Sequence, residues 1–291
     1  MSNKEKWITI AVCFIFLLLC AGLGAYKKKE VKTGISSVSE LEGKALGGVE
    51  GRMPGNSAKI FFESMLGVKL SRYSAFENTD EALYALRTGK VAAIWATDVT
   101  AAYLEKWNPD CYPVDISGTA SIMELPEGRF DFGFAAKNND RGKELIDDLN
   151  TVIAGMKEDG TLETLTGQYI YRDEDTGRFT ESDMVNKARK NALRIGITGA
   201  AEPVELLDAD GRPYGFCVAF MDEVGQRLGR KVEFVVLDNE TIFTSLMSGR
   251  IDAVFCYGTP GKITTEGSKA WITSDGYLQC GGYRLLSIKD E

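Results

Sequence analysis

Histidine is missing from all 291 residues. Its absence removes Ser-His-Asp triads, imidazole ligation of metals and imidazole acid–base catalysis. Chemistry based on Cys, Asp, Glu or Lys remains open. Positive charge is also scarce: 34 Lys and Arg stand against 42 Asp and Glu, for a net charge of −8. No basic stripe interleaved with aromatics is present, so nucleic acid is not an expected partner. There are six cysteines and no CxxC spacing, which argues against a metal site. No paired-carboxylate motif, Walker A loop or GxGxxG fingerprint occurs either. The composition thus indicates neither a cofactor nor an obvious enzyme.

Long apolar runs are absent except for one. Ile8–Tyr26 (ITIAVCFIFLLLCAGLGAY) is uncharged and close to the roughly 20 residues that cross a bilayer. Lys4 and Lys6 precede it and Lys27–Lys29 follow. Three readings fit: an uncleaved anchor, a cleaved secretory signal, or a lipoprotein signal cut before Cys20. The positive-inside rule alone would put Lys27–Lys29 in the cytoplasm. A signal-type segment with a short inner N-terminus reverses that, so the remainder is expected outside the cytoplasmic membrane, held by the helix or by lipid on Cys20. Cys13 and Cys20 read as small apolar residues. Cys111, Cys217, Cys256 and Cys280 are four scattered thiols, buried or, in an exported protein, paired.

Beyond a polar tether the pattern alternates strand and helix. KALGGVEG (Lys44–Gly51), VAAIWAT (Val91–Thr97), RFDFGFAAK (Arg129–Lys137), LRIGIT (Leu193–Thr198), VEFVVL (Val232–Leu237), IDAVFCYG (Ile251–Gly258) and YRLLSIK (Tyr283–Lys289) read as strands. VAAIWAT is continuously apolar, as in a parallel sheet covered on both faces. Helical spacing appears in Asn56–Leu66, Asp80–Gly89, Asp98–Trp107, Val218–Leu228 and Thr241–Ser248. It appears again over Lys143–Ile170, with a break at Gly160. Asn56 or Ser57 suits an N-cap, and Gly89 a C-cap. Tyr171–Asn191 is charged and poor in apolar residues, which marks a linker. DEALYALRTGKVAAIWAT and ETIFTSLMSGRIDAVFCY share one layout: helix, small residue–Gly–basic residue, buried strand. This internal repeat predicts two similar α/β lobes around a cleft.

These segments resemble the type II periplasmic binding fold, in particular the family-3 extracellular solute-binding proteins of amino-acid ABC transporters. The carrying pieces are LRIGIT, Pro203 before DADGRPYGF, RLGRKVEFVVLD, SLMSGRIDAVF and ITSDGYLQCGGYRLL, then SVSELEGKALGGVEG, ALRTGKVAAIWATDVTAAYL, FDFGFAAK and LNTVIAGMKEDGTLETLTGQYI. The resemblance implies a mixed sheet flanked by helices in each lobe, in an order that departs from the family. There the LRIGIT half comes first, so this chain reads as circularly permuted. The expected division is anchor and tether over 1–29, lobe 2 with its hinge strand over 30–136, closing helices of lobe 1 over 137–170, linker over 171–191 and the main part of lobe 1 over 192–291. On this reading only Arg129–Lys137 joins the lobes covalently, with Tyr283–Lys289 lying beside it as a non-covalent strand. A monomer is expected rather than a swapped dimer.

In such lobes ligands sit at strand C-termini and helix N-termini. The resemblance implies that Asp98, directly after VAAIWAT, binds a ligand ammonium group; as a residue it also suits a helix N-terminus. It implies that Thr259, ending the strand that carries Tyr257 and Gly258, donates to a ligand carboxylate. The family's arginine falls on Thr264, so Lys262 or Arg52 is expected to replace it. Ala201–Glu202 stands where the family sets an aromatic, and Val204 where a second follows. Glu202 adds negative charge, which points to a polar or cationic ligand. Tyr257 or Trp95 offers a stacking face or belongs to the core. Gly48–Lys59 is glycine-rich before a helix, so its backbone N–H groups can cradle a carboxylate, which brings in Asn56 and Ser57.

The leading expectation is an extracytoplasmic solute-binding protein, not an enzyme, that captures a small amino-acid-like ligand for an ABC permease. The alternative is a sensing or regulatory module of the same fold. A dehydratase or lyase using Glu202, Lys262 and Asp98 ranks third.

Overall fold

The computed structural model describes residues 34–48, 55–116, 130–171, 192–199, 201–260 and 270–289; of 55–58, 130 and 257–260 it describes the backbone alone. The expected membrane segment Ile8–Tyr26 and most of the linker Tyr171–Asn191 lie outside these residues. No helix among the described residues is long and apolar enough to cross a membrane.

Two sheets are built to one plan. Lobe 2 contains β1 (Ala45–Gly48), β2 (Arg72–Ala75), β3 (Ala93–Thr97), β4 (Cys111–Pro113) and β13 (Tyr283–Ile288), in the order β2-β1-β3-β13-β4. Lobe 1 contains β5 (Phe130–Lys137), β6 (Leu193–Ile197), β9 (Val232–Val236), β10 (Ala253–Pro260) and β11 (Trp271–Thr273), in the order β9-β6-β10-β5-β11, with β12 (Leu278–Cys280) also on β5. In each sheet three strands run parallel, and the fourth is an antiparallel strand supplied by the other half of the chain.

That exchange corrects the expected connectivity. Tyr283–Ile288 does not lie beside Phe130–Lys137 as a non-covalent strand; it pairs with β3 and β4 in lobe 2. Only Gly281 and Gly282 separate it from β12 of lobe 1, so a second covalent crossing runs there. The boundaries shift accordingly: 130–137 belongs to the lobe 1 sheet and 283–288 to that of lobe 2. The physical reason is burial. Leu285 and Leu286 point to opposite faces of the strand and join different apolar clusters, one on each side of the lobe 2 sheet.

The same logic shapes VAAIWAT. Ala93 and Trp95 pack toward α1 (Gly55–Leu66) with Phe62, Met65 and Leu66, while Ile94 and Ala96 pack toward α2 (Thr79–Arg87) and α3 (Asp98–Trp107) with Leu83, Leu86 and Leu104. Trp95 stacks on Tyr283 and meets Phe62 edge-on, so it is a core residue. α1 starts at Gly55, so Asn56 and Ser57 lie in its first turn and not at the N-cap. In lobe 1, α4 (Asp140–Glu158) buries Leu145, Ile146, Leu149, Val152, Ile153 and Met156 at helical spacing. α5 (Thr161–Tyr169) and α6 (Phe216–Leu228) cover the same core. Its centre is aromatic: Phe134, Phe220, Phe255 and Tyr277 are mutually within 4.6–6.1 Å between ring centroids.

The internal repeat is structural as well. α2 and α7 (Ile242–Ser248) each lead into the third strand of their sheet. Gly89 and Gly249 adopt positive φ after the two helices, a conformation open to glycine at no steric penalty. The next residue, Lys90 or Arg250, donates its N–H back to Ala85 or Ser245. A hairpin of β7 (Leu206–Leu207) and β8 (Pro213–Tyr214) holds the DADGR turn. Cys111, Cys217, Cys256 and Cys280 are buried, and none of the four is in a disulfide.

One ionic clamp fixes the start of β10. Asp252, with 7% of its side chain exposed, accepts the Arg194 guanidinium at 2.8 and 3.1 Å, the Arg194 N–H at 2.9 Å and Arg141 at 3.0 Å. Burial alone would raise its carboxyl pKa, but the Arg194 hydrogen bonds and both guanidinium charges bring the net shift below the ordinary value.

Candidate functional site

The C-terminal ends of β1 and β3 in lobe 2, and of β6, β9 and β10 in lobe 1, are where the loops implicated by the sequence emerge. Asp98 follows β3 directly. Thr97, not Asp98, is the N-cap of α3: its hydroxyl oxygen accepts the Thr100 N–H at 3.1 Å. Asp98 therefore turns toward the crossing between the lobes. Its Oδ1 accepts the Val99 N–H at 2.8 Å and the Cys280 thiol at 2.9 Å, and its Oδ2 accepts the Gly281 N–H at 2.8 Å. Its own N–H donates to the Gly282 carbonyl at 3.0 Å. A Cβ on Gly281 would come within 2.6 Å of Oδ2, so this close approach needs glycine. Burial, and then the bond to the Asp98 carboxylate, push the Cys280 thiol pKa well up. A carboxylate offers about four acceptor sites; with three occupied, Oδ2 retains one.

Sheet register relates Asp98 to Thr259. Cys280 pairs with Phe130 on one edge of β5, and Pro260 pairs with Phe130 on the other. Two inter-strand steps of about 4.8 Å each put Cys280 roughly 10 Å from Pro260. Asp98, bonded to Cys280, thus lies at the same end of the lobe 1 sheet as the backbone of Thr259. Tyr257 and Gly258 precede it in β10, opposite Gly133 and Phe132. A bulge interrupts β10 between Val254 and Tyr257, where Cys256 takes φ 51°. The Cys256 N–H there donates to the buried Tyr277 hydroxyl at 2.8 Å. Non-glycine residues with positive φ are uncommon, and bulges recur beside functional sites.

The loop after β6 is fixed from within. Glu205, 1% exposed, accepts the N–H groups of Thr198 and Gly199 at 2.9 Å each and the Thr198 hydroxyl at 2.8 Å. Val204 is buried in the lobe 1 core, and Ala201 packs at its margin. Glu202 instead crosses to lobe 2, where it accepts the hydroxyl of Thr79, the first residue of α2. Burial raises its carboxyl pKa, the Thr79 bond lowers it, and Asp80 adds a further upward push; the net direction is up.

Of the sequence-predicted site residues, Asp98 and Glu202 are described in full. Tyr257, Gly258 and Thr259 are placed by backbone at the end of β10, and Asn56 and Ser57 in the first turn of α1. Arg52 and Lys262 lie outside the described residues, as does Thr264. Sequence reasoning missed Thr79, Cys280, Gly281 and Glu205; each acts through a partner distant in sequence or through burial, and no spacing marks it. Among the described residues no group of three His, Cys, Asp or Glu side chains could hold a metal ion.

Residues 193–283 match the family model of bacterial extracellular solute-binding proteins, family 3. No curated protein matches the chain. Similar solved structures include the probable amino-acid ABC transporter extracellular-binding protein ytmK from Bacillus subtilis, at 12% identity and TM-score 0.41, covering 86% of both chains. The GluR0 ligand-binding core from Nostoc punctiforme, in complex with L-glutamate, is 10% identical with a TM-score of 0.40 over 85% of each chain. A phosphate ABC transporter phosphate-binding protein from Streptococcus pneumoniae is 12% identical with a TM-score of 0.39, over 85% of this chain and 89% of that one.

Proposed function

From the match of residues 193–283 to the family-3 extracellular solute-binding proteins, we propose that this chain is an extracytoplasmic binding protein. It captures a small polar, amino-acid-like ligand between its lobes and delivers it to an ABC permease. The observation that carries this reading is the convergence of Asp98 and the end of β10 at one edge of lobe 1, next to the Gly281–Gly282 crossing. The free acceptor site on Asp98 Oδ2 suits an ammonium group, and the Thr259 hydroxyl suits a carboxylate. Arg52 or Lys262 supplies the cation that Thr264 does not. The reading makes the protein a binder rather than an enzyme, a monomer, and tethered to the membrane through Ile8–Tyr26.

A thermal-shift screen against amino acids, polyamines and small peptides tests it. A ligand at about one hundred times its Kd stabilises the fold by about 2.7 kcal/mol. Turnover of a bound compound, or no shift with any of the three classes, would refute the proposal.

The chain order is read as a circular permutation of the family's. Its support is the meeting of Gly34 and Ile35 with Ser287 and Ile288. The Ile35 N–H donates to Ser287 Oγ at 3.0 Å, and Gly34 lies so close to the Ile288 carbonyl that a Cβ would not fit. A variant lacking residues 1–33, joined from 289 to 34 by a short Gly-Ser linker and opened within 172–191, would restore the family order. It is expected to melt cooperatively within about 5 °C of the parent. A chain that fails to fold cooperatively would count against the permutation.

A further inference from the structure

Apart from the Asp98 junction, one other side-chain hydrogen bond joins the lobes among the described residues: Thr79 to Glu202. It spans 123 positions of sequence and ties the start of α2 to the loop after β6. Among the described residues, Asp80 in α2, Tyr103 in α3 and Tyr214 in β8 are the titratable groups coupled to this pair. Tyr103 is kept neutral: burial first, then the Glu202 charge, push its hydroxyl pKa up to about 12. In this arrangement the half-buried Glu202 carboxylate accepts from the Thr79 hydroxyl, and the acid whose charge it feels is Asp80, of like sign.

We propose that Thr79 and Glu202 form an interlobe latch that tightens on acidification, so that the lobes close more fully in acid than at neutral pH. In the open form Glu202 regains water and its ordinary carboxyl behaviour. In the closed form burial and Asp80 favour the protonated acid. Between those two values the closed form holds a proton that the open form does not, so falling pH pulls the equilibrium toward closure and rising pH releases it. The protonated acid keeps an oxygen that accepts from Thr79, so the latch survives the loss of charge. This inference rests on the two-lobed closure proposed above but on no ligand. A failure of the ligand screen therefore leaves its readout intact.

The test is an interlobe distance measured by pulsed EPR on the full chain in detergent, without ligand. Cys13→Ala and Cys20→Ala remove the two thiols of the apolar N-terminal run. Tyr84→Cys in lobe 2 and Val236→Cys in lobe 1, both exposed, carry the labels. Between about pH 7.5 and about pH 5 the closed-to-open ratio is expected to rise by up to about tenfold per pH unit inside the titration window. Glu202→Gln, a neutral mimic of the protonated acid, is expected to stay closed at both pH values. Thr79→Val is expected to open the lobes at the higher pH. A distance distribution that ignores pH, a pH response that persists in Glu202→Gln, or opening by Glu202→Gln would each overturn the latch. Thermal melts confirm that each variant is folded. Should Glu202→Gln not fold, the pH series of the parent and of Thr79→Val decides.

Discussion

Asp98→Ala is expected to weaken capture of an ammonium-bearing ligand roughly ten- to hundredfold. A charge-assisted hydrogen bond is worth about 1.5–3 kcal/mol, which converts to that range. The same substitution removes the acceptor for Val99, Cys280 and Gly281 together. Gly281 is exposed and can turn to water, and the buried Cys280 thiol keeps a second acceptor in the Gly282 carbonyl at 3.2 Å. The stability loss is therefore expected at about 1 kcal/mol, a fall of a few degrees in Tm. Asp98→Asn keeps one acceptor oxygen, so it should recover part of the stability and little of the affinity. Isothermal titration with the ligand found by screening, run beside calorimetric melts of both variants, separates the two effects. Unchanged affinity in Asp98→Ala would remove Asp98 from the binding site and leave it only the task of fixing the crossing.

Asp252→Ala should give the opposite profile. Asp252 is the buried member of the cluster, while Arg194 and Arg141 keep 32% and 74% of their side chains exposed, so its loss is expected to cost about 1–3 kcal/mol, equivalent to a Tm fall of about 2–12 °C for a domain of this size. The variant leaves Arg194 without its carboxylate and its N–H without an acceptor at the junction of β6 and β10. Asp252 precedes β10, and Thr259 stands near that strand's far end, about 20 Å away at the rise of an extended chain. Ligand affinity at a temperature where the variant is folded should therefore not change. The folded-state carboxyl pKa is lowered, so its contribution is present above the ordinary value of 3.8 and lost as pH falls through the lowered one. Acid melts of parent and variant should converge there. An equal Tm for both proteins at neutral pH would show that the arginines are solvated without loss.

The reach of the sequence differs between elements for physical reasons. VAAIWAT is legible as a strand because both faces are buried, so apolar residues run without interruption; LRIGIT is legible because Leu193, Ile195 and Ile197 alternate toward the core. The paired helices over 140–169 are legible from their spacing and from the break at Gly160, whose positive φ ends one and starts the next. Short pieces such as β2, β4 and β12 carry too few residues to show alternation, and they passed unread. The placement of β13 was missed for another reason. YRLLSI says that a strand forms, but only the facing clusters on the lobe 2 sheet say which sheet it enters. Within the site, Asp98 is visible as an acid after a buried strand. Its partners Cys280 and Gly281 lie 182 and 183 positions away, and nothing local announces them. Glu202 is visible as an unusual charge in its loop, but its bond to Thr79 exists only once the two lobes meet.

The extra residue in β10 has a consequence for how the chain tolerates length changes. Between Val254 and Tyr257 the strand advances three residues while β5 advances two, from Ala135 to Gly133. The bulge absorbs the surplus residue, so the pairing with β5 resumes in step at Tyr257. Deleting Cys256 would remove an unfavourable backbone angle and let Val254, Phe255 and Tyr257 run opposite Ala135, Phe134 and Gly133 in plain alternation, with every later partner on β5 kept. The strand has no such slack beyond Tyr257, so the loss of one residue there should slip the register of whatever follows, whereas the loss of Cys256 should be absorbed.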